Sequence, residues 1–540
     1  MKIAAHTLGC KLNYAETSDL LRRFSTLGHT IVDFHQAADL YIINTCTVTA
    51  VAEKKCRTAI RQAHRLNPEA QVAVIGCFAQ VAARDIEAIP GVTLVLGNDR
   101  KHLLPQLIEV KGSETGVRGS ERTNVEDDTI VPSLPLTPSH SLSLPNFSLQ
   151  YSSGDRTRTF FKIQDGCDYF CTYCAIPFAR GRSRSATIEE TLCMARRIAD
   201  EGAKEVVLTG VNTGTFGQMD RRHPAGTTDT PEPLDRRHLA GTTDTPEPMD
   251  RRHPAGTTQP EPMDRRHPAV TTQPEPFLDL LRGLDRIDGI LRYRISSIEP
   301  NLLTDDIIRF VASSRAFLPH FHIPLQAGSD HVLQLMHRRY DTALYRAKLE
   351  RIKELMPDAC IAADIMAGFN GENEEEFRKT LDFVESLPIS YLHVFTYSDR
   401  PGTAALRLGE KIPIPVRHEH TARLLELSER KHQAFIQSQL GKTRPVLWES
   451  KRVESEEWRV ESGERRTKNE ERRAENEEQR KENNAAADSP LSTLHSPLST
   501  FMEGWTDNYI RLRRPYDPSL VNTVTLEPIT PDNLVRDAAE

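Results

Sequence analysis

Residues 158–174 read RTFFKIQDGCDYFCTYC: a strand-like run that breaks at Gly166 into a loop carrying Cys167, Cys171 and Cys174. Three thiols within eight residues can wrap one metal cluster. The CxxxCxxC spacing suits three irons of a [4Fe–4S] cube and leaves the fourth iron open. A zinc knuckle would need a fourth ligand and a different spacing.

Further along, five more runs have strand character and each leads into a helical stretch or a loop: KEVVLTGVN, RYRISSIE, FHIPLQAGS, CIAADIMAGF and YLHVFTYS. With the first run they make six βα units, too few for a closed eight-fold barrel. Repeated βα units place their chemistry at the carboxyl ends of the strands. An open iron there can chelate the amino and carboxylate groups of S-adenosylmethionine. Glycine or polar residues stand at several of these ends: Gly210, Asn212, Ser296, Ser297, Glu299, Gln326, Asp364 and Gly368. For each of them a turn or capping role is an equal expectation.

Residues 1–110 alternate short β-branched runs with amphipathic stretches, as an open parallel α/β sheet does. KIAAHTL ends at Gly9-Cys10, LYIIN at Thr45-Cys46 and VAVI at Gly76-Cys77, and a helical stretch follows each cysteine. Ligands of open α/β sheets bind outside the carboxyl ends of the strands, so three equivalent thiols converge on a second metal site despite their separation in sequence. Cys56, Cys193 and Cys360 lie within other elements and read as ordinary small apolar residues.

The chain has 540 residues, of which 38% are hydrophobic, a dilute composition that its repeats explain. Residues 219–276 are four near-copies of MDRRHPAGTTDTPEP containing eleven prolines, and with almost no large apolar side chains they have nothing to bury. Ten acidic residues against eight arginines weaken any reading of the copies as an RNA-binding array. Residues 451–500 hold 22 charged residues of mixed sign and end in the duplicated SPLSTLHSPLST. Both tracts read as low-complexity insertions. Residues 111–152, rich in Ser, Pro, Thr and Gly, read as a linker. No apolar run is long enough to span a membrane and the N-terminus lacks a secretory signal, so a cytoplasmic protein is expected. An odd count of nine cysteines argues against a disulfide framework, and a net charge of −7 announces no nucleic-acid partner.

The CxxxCxxC motif after a first strand resembles that of the radical S-adenosylmethionine superfamily, and the six βα units resemble its partial (β/α)6 barrel, which is the expected fold of this part. Together with the N-terminal three-cysteine domain and a small C-terminal β domain, it makes the chain similar to the methylthiotransferase family. The C-terminal part resembles a TRAM domain, an RNA-binding β-barrel, through Val446-Leu447-Trp448-Glu449 and Gly504-Trp505-Thr506-Asp507-Asn508-Tyr509. Trp505 and Tyr509 either stack on bases or pack internally, and Arg511, Arg513 and Arg514 supply a modest basic patch. TLGCKLNYAET, NTCTVTAVAEKKCRTAIRQAHRLNP, GCFAQ and CAIPFARGRSRS resemble the branch that adds a methylthio group to C2 of N6-threonylcarbamoyladenosine beside the tRNA anticodon. GFNGEN at 368–373 departs from the family's GFPGET.

The resemblance implies an order of domains: an N-terminal methylthiotransferase domain (1–110), a linker (111–152), a radical core (153–433, with the insertion 219–276) and a TRAM-like domain (441–540, with the insertion 451–500). It implies two [4Fe–4S] clusters, one on Cys10, Cys46 and Cys77 and one on Cys167, Cys171 and Cys174. It further implies S-adenosylmethionine bound by Gly210, Asn212, Ser297, Glu299, Gln326, Asp364 and Gly368. The radical cluster would abstract hydrogen from adenine C2 and the other would deliver a methylated sulfur. A tRNA substrate, a low-potential flavodoxin or ferredoxin donor and no membrane complete the expectation. Isopentenyladenosine in tRNA and a ribosomal-protein aspartate are the alternative substrates. A non-catalytic electron carrier or RNA-binding protein is the alternative class.

Overall fold

Short runs of Ile, Val, Leu and Ala build the N-terminal sheet: β1 (Lys2–Thr7), β2 (Thr30–Val32), β3 (Leu40–Thr45), β4 (Gln71–Gly76) and β5 (Leu94–Leu96). All neighbours are parallel, in the order β2-β1-β3-β4-β5. β3 is buried along its whole length, as a central strand covered on both faces must be. The covering helices are α1 (Lys11–Thr26), α2 (Ala50–Leu66), α3 (Cys77–Val81), α4 (Ala83–Glu87) and α5 (Leu104–Glu114). The third helical stretch expected from sequence is broken in two at Ala82, whose φ of −137° leaves the helical region.

The computed structural model describes residues 1–114, 147–153, 157–218, 275–449 and 501–535. Residues 1–217 and those from 276 onward belong to one compact unit. Of the second unit, Gln218–Glu275, only the two end residues are described. The two insertions therefore lie outside the described residues, except that Glu275 and Pro276, at the end of the first, lead into a helix. The expected linker is shorter than 111–152, because α5 runs to Glu114 and Gln150–Tyr151 form a strand, β6.

β6 pairs antiparallel with β7 (Arg158–Lys162). β8 (Gln164–Asp165) and β9 (Arg184–Ser185) pair antiparallel and close the base of the loop that carries Cys167, Cys171, Cys174 and the short helix α6 (Ile176–Arg180). After α7 (Ile188–Asp200) come β10 (Glu205–Thr209), α8 (Pro276–Asp285), β11 (Arg292–Ile295), α9 (Asp305–Ser313) and β12 (His320–His322). Next are α10 (Asp330–Leu335), α11 (Thr342–Leu355), β13 (Cys360–Ala367), α12 (Glu374–Ser386), β14 (Tyr391–Thr396) and α13 (Ile414–Gln439). β7, β10 and β11 are parallel neighbours, as are β12, β13 and β14. Single bridges at Tyr293–Phe317 and Ser297–His322 join the two sets into one curved sheet of six parallel strands. Alternate residues, including Phe161, Val206, Leu208, Ile295, Phe321, Ile365 and Val394, pack outward in the main core. The other parity lines a lumen.

The C-terminal β domain comprises β15 (Thr443–Trp448), β16 (Phe501–Thr506), β17 (Arg511–Pro515) and β18 (Val524–Pro528), antiparallel in the order β17-β16-β15-β18. β15 and β16 pair directly although 52 residues separate them, so the sequence between them takes the place of a hairpin turn.

Candidate active site

The three N-terminal cysteines stand where the sequence puts them. Cys10 is the N-cap of α1, Cys46 follows β3 and Cys77 opens α3. Cys10 and Cys77 are close enough to oppose ionisation of Cys46, whose thiol burial pushes up. Gly9, at φ +101°, makes this approach possible, since a Cβ there would lie 3.0 Å from Cys46 Sγ. Asn98 donates to Cys77 Sγ at 3.4 Å and to the Ala179 carbonyl at 2.7 Å, tying this site to the second cysteine loop. Cys56 lies beneath Cys46, accepting from its amide at 3.5 Å, while Cys193 is exposed and Cys360 is buried at the start of β13.

The second set occupies the loop between β8 and β9. Gly166 (φ +72°) sits so tightly against Arg182 that a Cβ would fall 1.9 Å from its carbonyl oxygen. Burial pushes the Cys167 thiol to about 11 and the Cys174 thiol to about 12. Cys174 Sγ accepts from the Ile176 amide at 3.4 Å, and Cys171 Sγ accepts from Arg338 at 3.2 Å. Unpaired thiols that meet N–H donors are a donor set that fits a thiolate-bound cluster, because such hydrogen bonds stabilise the ionised sulfur.

Arg338 escaped the sequence reading. Its guanidinium pairs with Glu299, donates to Tyr173 at 3.2 Å and is buried. Burial raises the Glu299 carboxyl despite this partner. Nothing in the local pattern HRRY singles out this arginine; only the fold brings the segment after α10 against the cysteine loop.

The other strand-end residues divide into two groups. Asn212 is 3% exposed and neither side-chain amide atom has a hydrogen-bond partner; Ser296 Oγ is likewise buried and unpartnered. These orphans fit a polar ligand at the ends of β10 and β11. Gly210 packs against Gln164, which also accepts from the Asn212 amide at 2.9 Å. Gln326 adopts φ +65° and bridges to Ile365 through its backbone. Gly368 lies against Arg417, within a turn. In the GFNGEN stretch Asn370 donates to the Ala405 carbonyl and Asn373 caps α12, so both asparagines serve the backbone. Ser297 and Asp364 share one histidine: His322 meets Ser297 Oγ through Nδ1 at 3.0 Å and Asp364 through Nε2 at 2.7 Å. His393, on the neighbouring strand, faces His322 edge-on at 5.1 Å between ring centroids. The lumen walls that enclose it, together with His322, push its pKa down to about 4.

Two plugs shape the lumen. Helix α1 lays Tyr14 and Ala15 against Phe160 and Val207 on the inner wall. The next residue, Glu16, 1% exposed, pairs with Lys101 of its own domain and with Lys162 and Arg180 of the barrel. Asp165 joins Lys162, Arg180 and Arg184. Two carboxylates thus face four cations beside Cys10 and Cys77, a surplus of positive charge that offsets ionised thiols. At the opposite end, Tyr509 of the C-terminal domain stacks on His320 at 4.4 Å, Trp505 lies against Tyr509, and Arg158 sits 4.9 Å above Trp505. These two aromatics, left open between base stacking and packing by the sequence, pack on the barrel. Arg294 donates to the carbonyls of Thr506 and Asp507 and pairs with Glu205.

A partial barrel with a CxxxCxxC loop at its strand ends, preceded by a three-cysteine α/β domain, defines a radical S-adenosylmethionine enzyme with a second metal centre. Residues 161–384 match the radical SAM superfamily, and residues 2–97 match the uncharacterized protein family UPF0004. The chain belongs to the radical S-adenosylmethionine methylthiotransferase family that includes the MtaB proteins. It is 34% identical over 457 residues to the threonylcarbamoyladenosine tRNA methylthiotransferase MtaB of Bacillus subtilis, covering 84% of this chain and 86% of the relative. It is 33% identical to MtaB of Aquifex aeolicus, over 84% and 95% of the two chains. The tRNA-2-methylthio-N(6)-dimethylallyladenosine synthase of Carboxydothermus hydrogenoformans is 29% identical, over 83% and 88%. Enzymes of this kind bind [4Fe–4S] clusters and S-adenosylmethionine. Among the described residues no helix is long and apolar enough to cross a membrane.

Proposed function

We propose that this enzyme adds a methylthio group to C2 of N6-threonylcarbamoyladenosine next to the anticodon of tRNA. The observation that carries the reading is the pairing of two separate three-cysteine sites in one unit, coupled with the similarity to the MtaB relatives. Cys167, Cys171 and Cys174 hold one [4Fe–4S] cluster, and Cys10, Cys46 and Cys77 hold the other. When bound, the first cluster with S-adenosylmethionine supplies a hydrogen-abstracting radical, and the second with another S-adenosylmethionine supplies methylated sulfur.

The chain's own residues position and shield these groups. Arg338 holds Cys171 and Glu299 together, Asn98 and the amide of Ile176 donate to the sulfurs, and Asn212 and Ser296 offer unfilled polar atoms to a cofactor. The aromatic pair Tyr14 and Phe160 excludes water from one side of the lumen. Electrons come from a flavodoxin or ferredoxin, and the cytoplasm, where tRNA is, is the working compartment.

The deciding experiment is the nucleoside profile of tRNA from a strain with and without this gene. Loss of the methylthio derivative of threonylcarbamoyladenosine on deletion, restored by the intact gene but not by a Cys171→Ala copy, is expected; an unchanged profile overturns the reading. After anaerobic reconstitution the protein should bind about eight irons, and triple alanine substitution at either cysteine set should remove roughly half.

A further inference from the structure

The inner wall of β12–β14 carries three polar side chains that the two metal sites do not use. Asp364 and His393 are direct neighbours in register, and His322 lies one strand over. Both ring nitrogens of His322 are engaged, by Ser297 and by Asp364; burial opposes ionisation of Asp364, but His322, His393 and Lys11 together hold its carboxyl below the ordinary value. His393 is different: it is exposed on the lumen side and, among the described residues, has no hydrogen-bond partner. Lys11, the residue after Cys10, is also exposed without an ion pair among the described residues. Its ammonium lies near enough to act on both His393 and Asp364. From the other side Asp364 influences Glu299, the partner of Arg338 at Cys171.

The patch lies in the lumen, within electrostatic reach of Lys11, which also acts on His320 and Tyr509 at the amino-terminal end of the barrel, and of Glu299. Its carboxylate is already satisfied, so its unengaged groups are one imidazole and one ammonium, and their complement is an anionic oxygen pair. Adenine C2 and N6 flank N1 on one edge of the ring and their outward bonds diverge, so a base offering C2 to the strand ends turns its N6 substituent toward the adjoining wall. We propose that His393 and Lys11 together receive the carboxylate of the threonylcarbamoyl group and set the preference for that nucleoside, an inference that rests on the substrate reading above. A dimethylallyl group in the same place leaves the histidine and lysine desolvated and unpaired, which disfavours it. A backbone phosphate has the same chemistry, and the His322, Asp364 and His393 ligand atoms, all within 4.8 Å of one another, also admit a divalent cation. The neighbouring ammonium of Lys11 disfavours the cation.

The test uses the reconstituted holoenzyme and anticodon stem-loops that differ only at the target adenosine: threonylcarbamoyl, its carboxamide analogue, dimethylallyl or unmodified. The native enzyme should bind the acid about tenfold or more tighter than the carboxamide, and His393→Ala or Lys11→Gln should each reduce that ratio to about threefold or less. Iron content and circular dichroism establish that the variants are loaded and folded. An unchanged ratio in both variants overturns the proposal, as does equal weakening toward all four RNAs, which assigns the pair to a phosphate. Stoichiometric zinc in the native protein, lost with His393→Ala, overturns it in favour of a cation site. If the native enzyme instead methylthiolates the dimethylallyl RNA and not the acid, the substrate reading itself fails; if it modifies the acid while both variants keep their selectivity, only the present proposal does.

Discussion

Arg338 shows how much of the proposed cluster site lies outside its cysteines. Its guanidinium ties Glu299, Tyr173 and Cys171 Sγ into one group with very little exposure to solvent. Removing it leaves Glu299 buried without its cation and Cys171 without its donor, and outer partners of metal ligands are commonly worth about 10–100-fold in affinity or activity. Arg338→Gln should therefore lower iron occupancy of the Cys167 site and slow S-adenosylmethionine cleavage by about that factor. The iron-specific absorbance and the yield of 5′-deoxyadenosine measure both effects; a full-strength cluster and native cleavage rate would show the arginine to be ornamental. The places of the cysteines in the fold were legible because their spacing, or their position after a strand, is written locally. Arg338, Lys11 and His393 were not, since each acquires its role only when segments hundreds of residues apart in sequence meet.

Among elements, α1 does the most with the least. Its N-cap is Cys10, its next residue is Lys11, Asn13 and Glu16 point into the polar junction, and Tyr14 and Ala15 press on the barrel wall. Periodicity revealed the helix but not its second buried face, because Asn13, Glu16 and Thr17 are polar and yet almost inaccessible. For Glu16, burial alone raises the carboxyl, but Arg180, Lys101 and Lys162 outweigh it and hold the folded value far below the ordinary 4.5. A depressed carboxyl contributes stability that is fully present above its unfolded pKa and is lost as pH falls toward the folded value. The first unfolding transition of the native chain should thus hold steady from neutrality to about pH 5 and decline at lower pH. Glu16→Gln should start lower by about 3–5 kcal/mol, because three buried cations lose their shared partner, and should be flatter with acid. Denaturant titrations across pH distinguish these curves; an identical acid slope in the variant would exclude Glu16 as the titrating group. The split of the third expected helix at Ala82 also lay beyond pattern reading, as AQVAARDIEAI is a good helical sequence and tertiary packing interrupts it.

For the whole molecule, the order of domains and the six barrel strands were readable from repeated βα units and cysteine placement. The docking of the C-terminal domain was not. Its aromatics occupy the amino-terminal end of the barrel, and Arg294 fastens it through two backbone carbonyls while pairing with Glu205. Replacing Arg294 by Met strips two carbonyls of their donor and removes one of the two cations paired with Glu205, Arg292 being the other. A destabilisation of about 3–5 kcal/mol is expected, concentrated at this junction. Amide exchange should then accelerate in β15–β18 well before the N-terminal sheet responds; uniform acceleration throughout would show that Arg294 serves the barrel alone.

The Glu16 junction has a consequence for how turnover can proceed. One carboxylate shared by cations from the α/β domain, the first barrel strand and the cysteine loop works as a rivet through three plates. Among the described residues this one buried group couples the domain of Cys10, Cys46 and Cys77 to the loop of Cys167, Cys171 and Cys174. On the proposed chemistry, travel between the two sets would then fall to the nucleobase and its small co-substrates, across a spacing that the rivet keeps set.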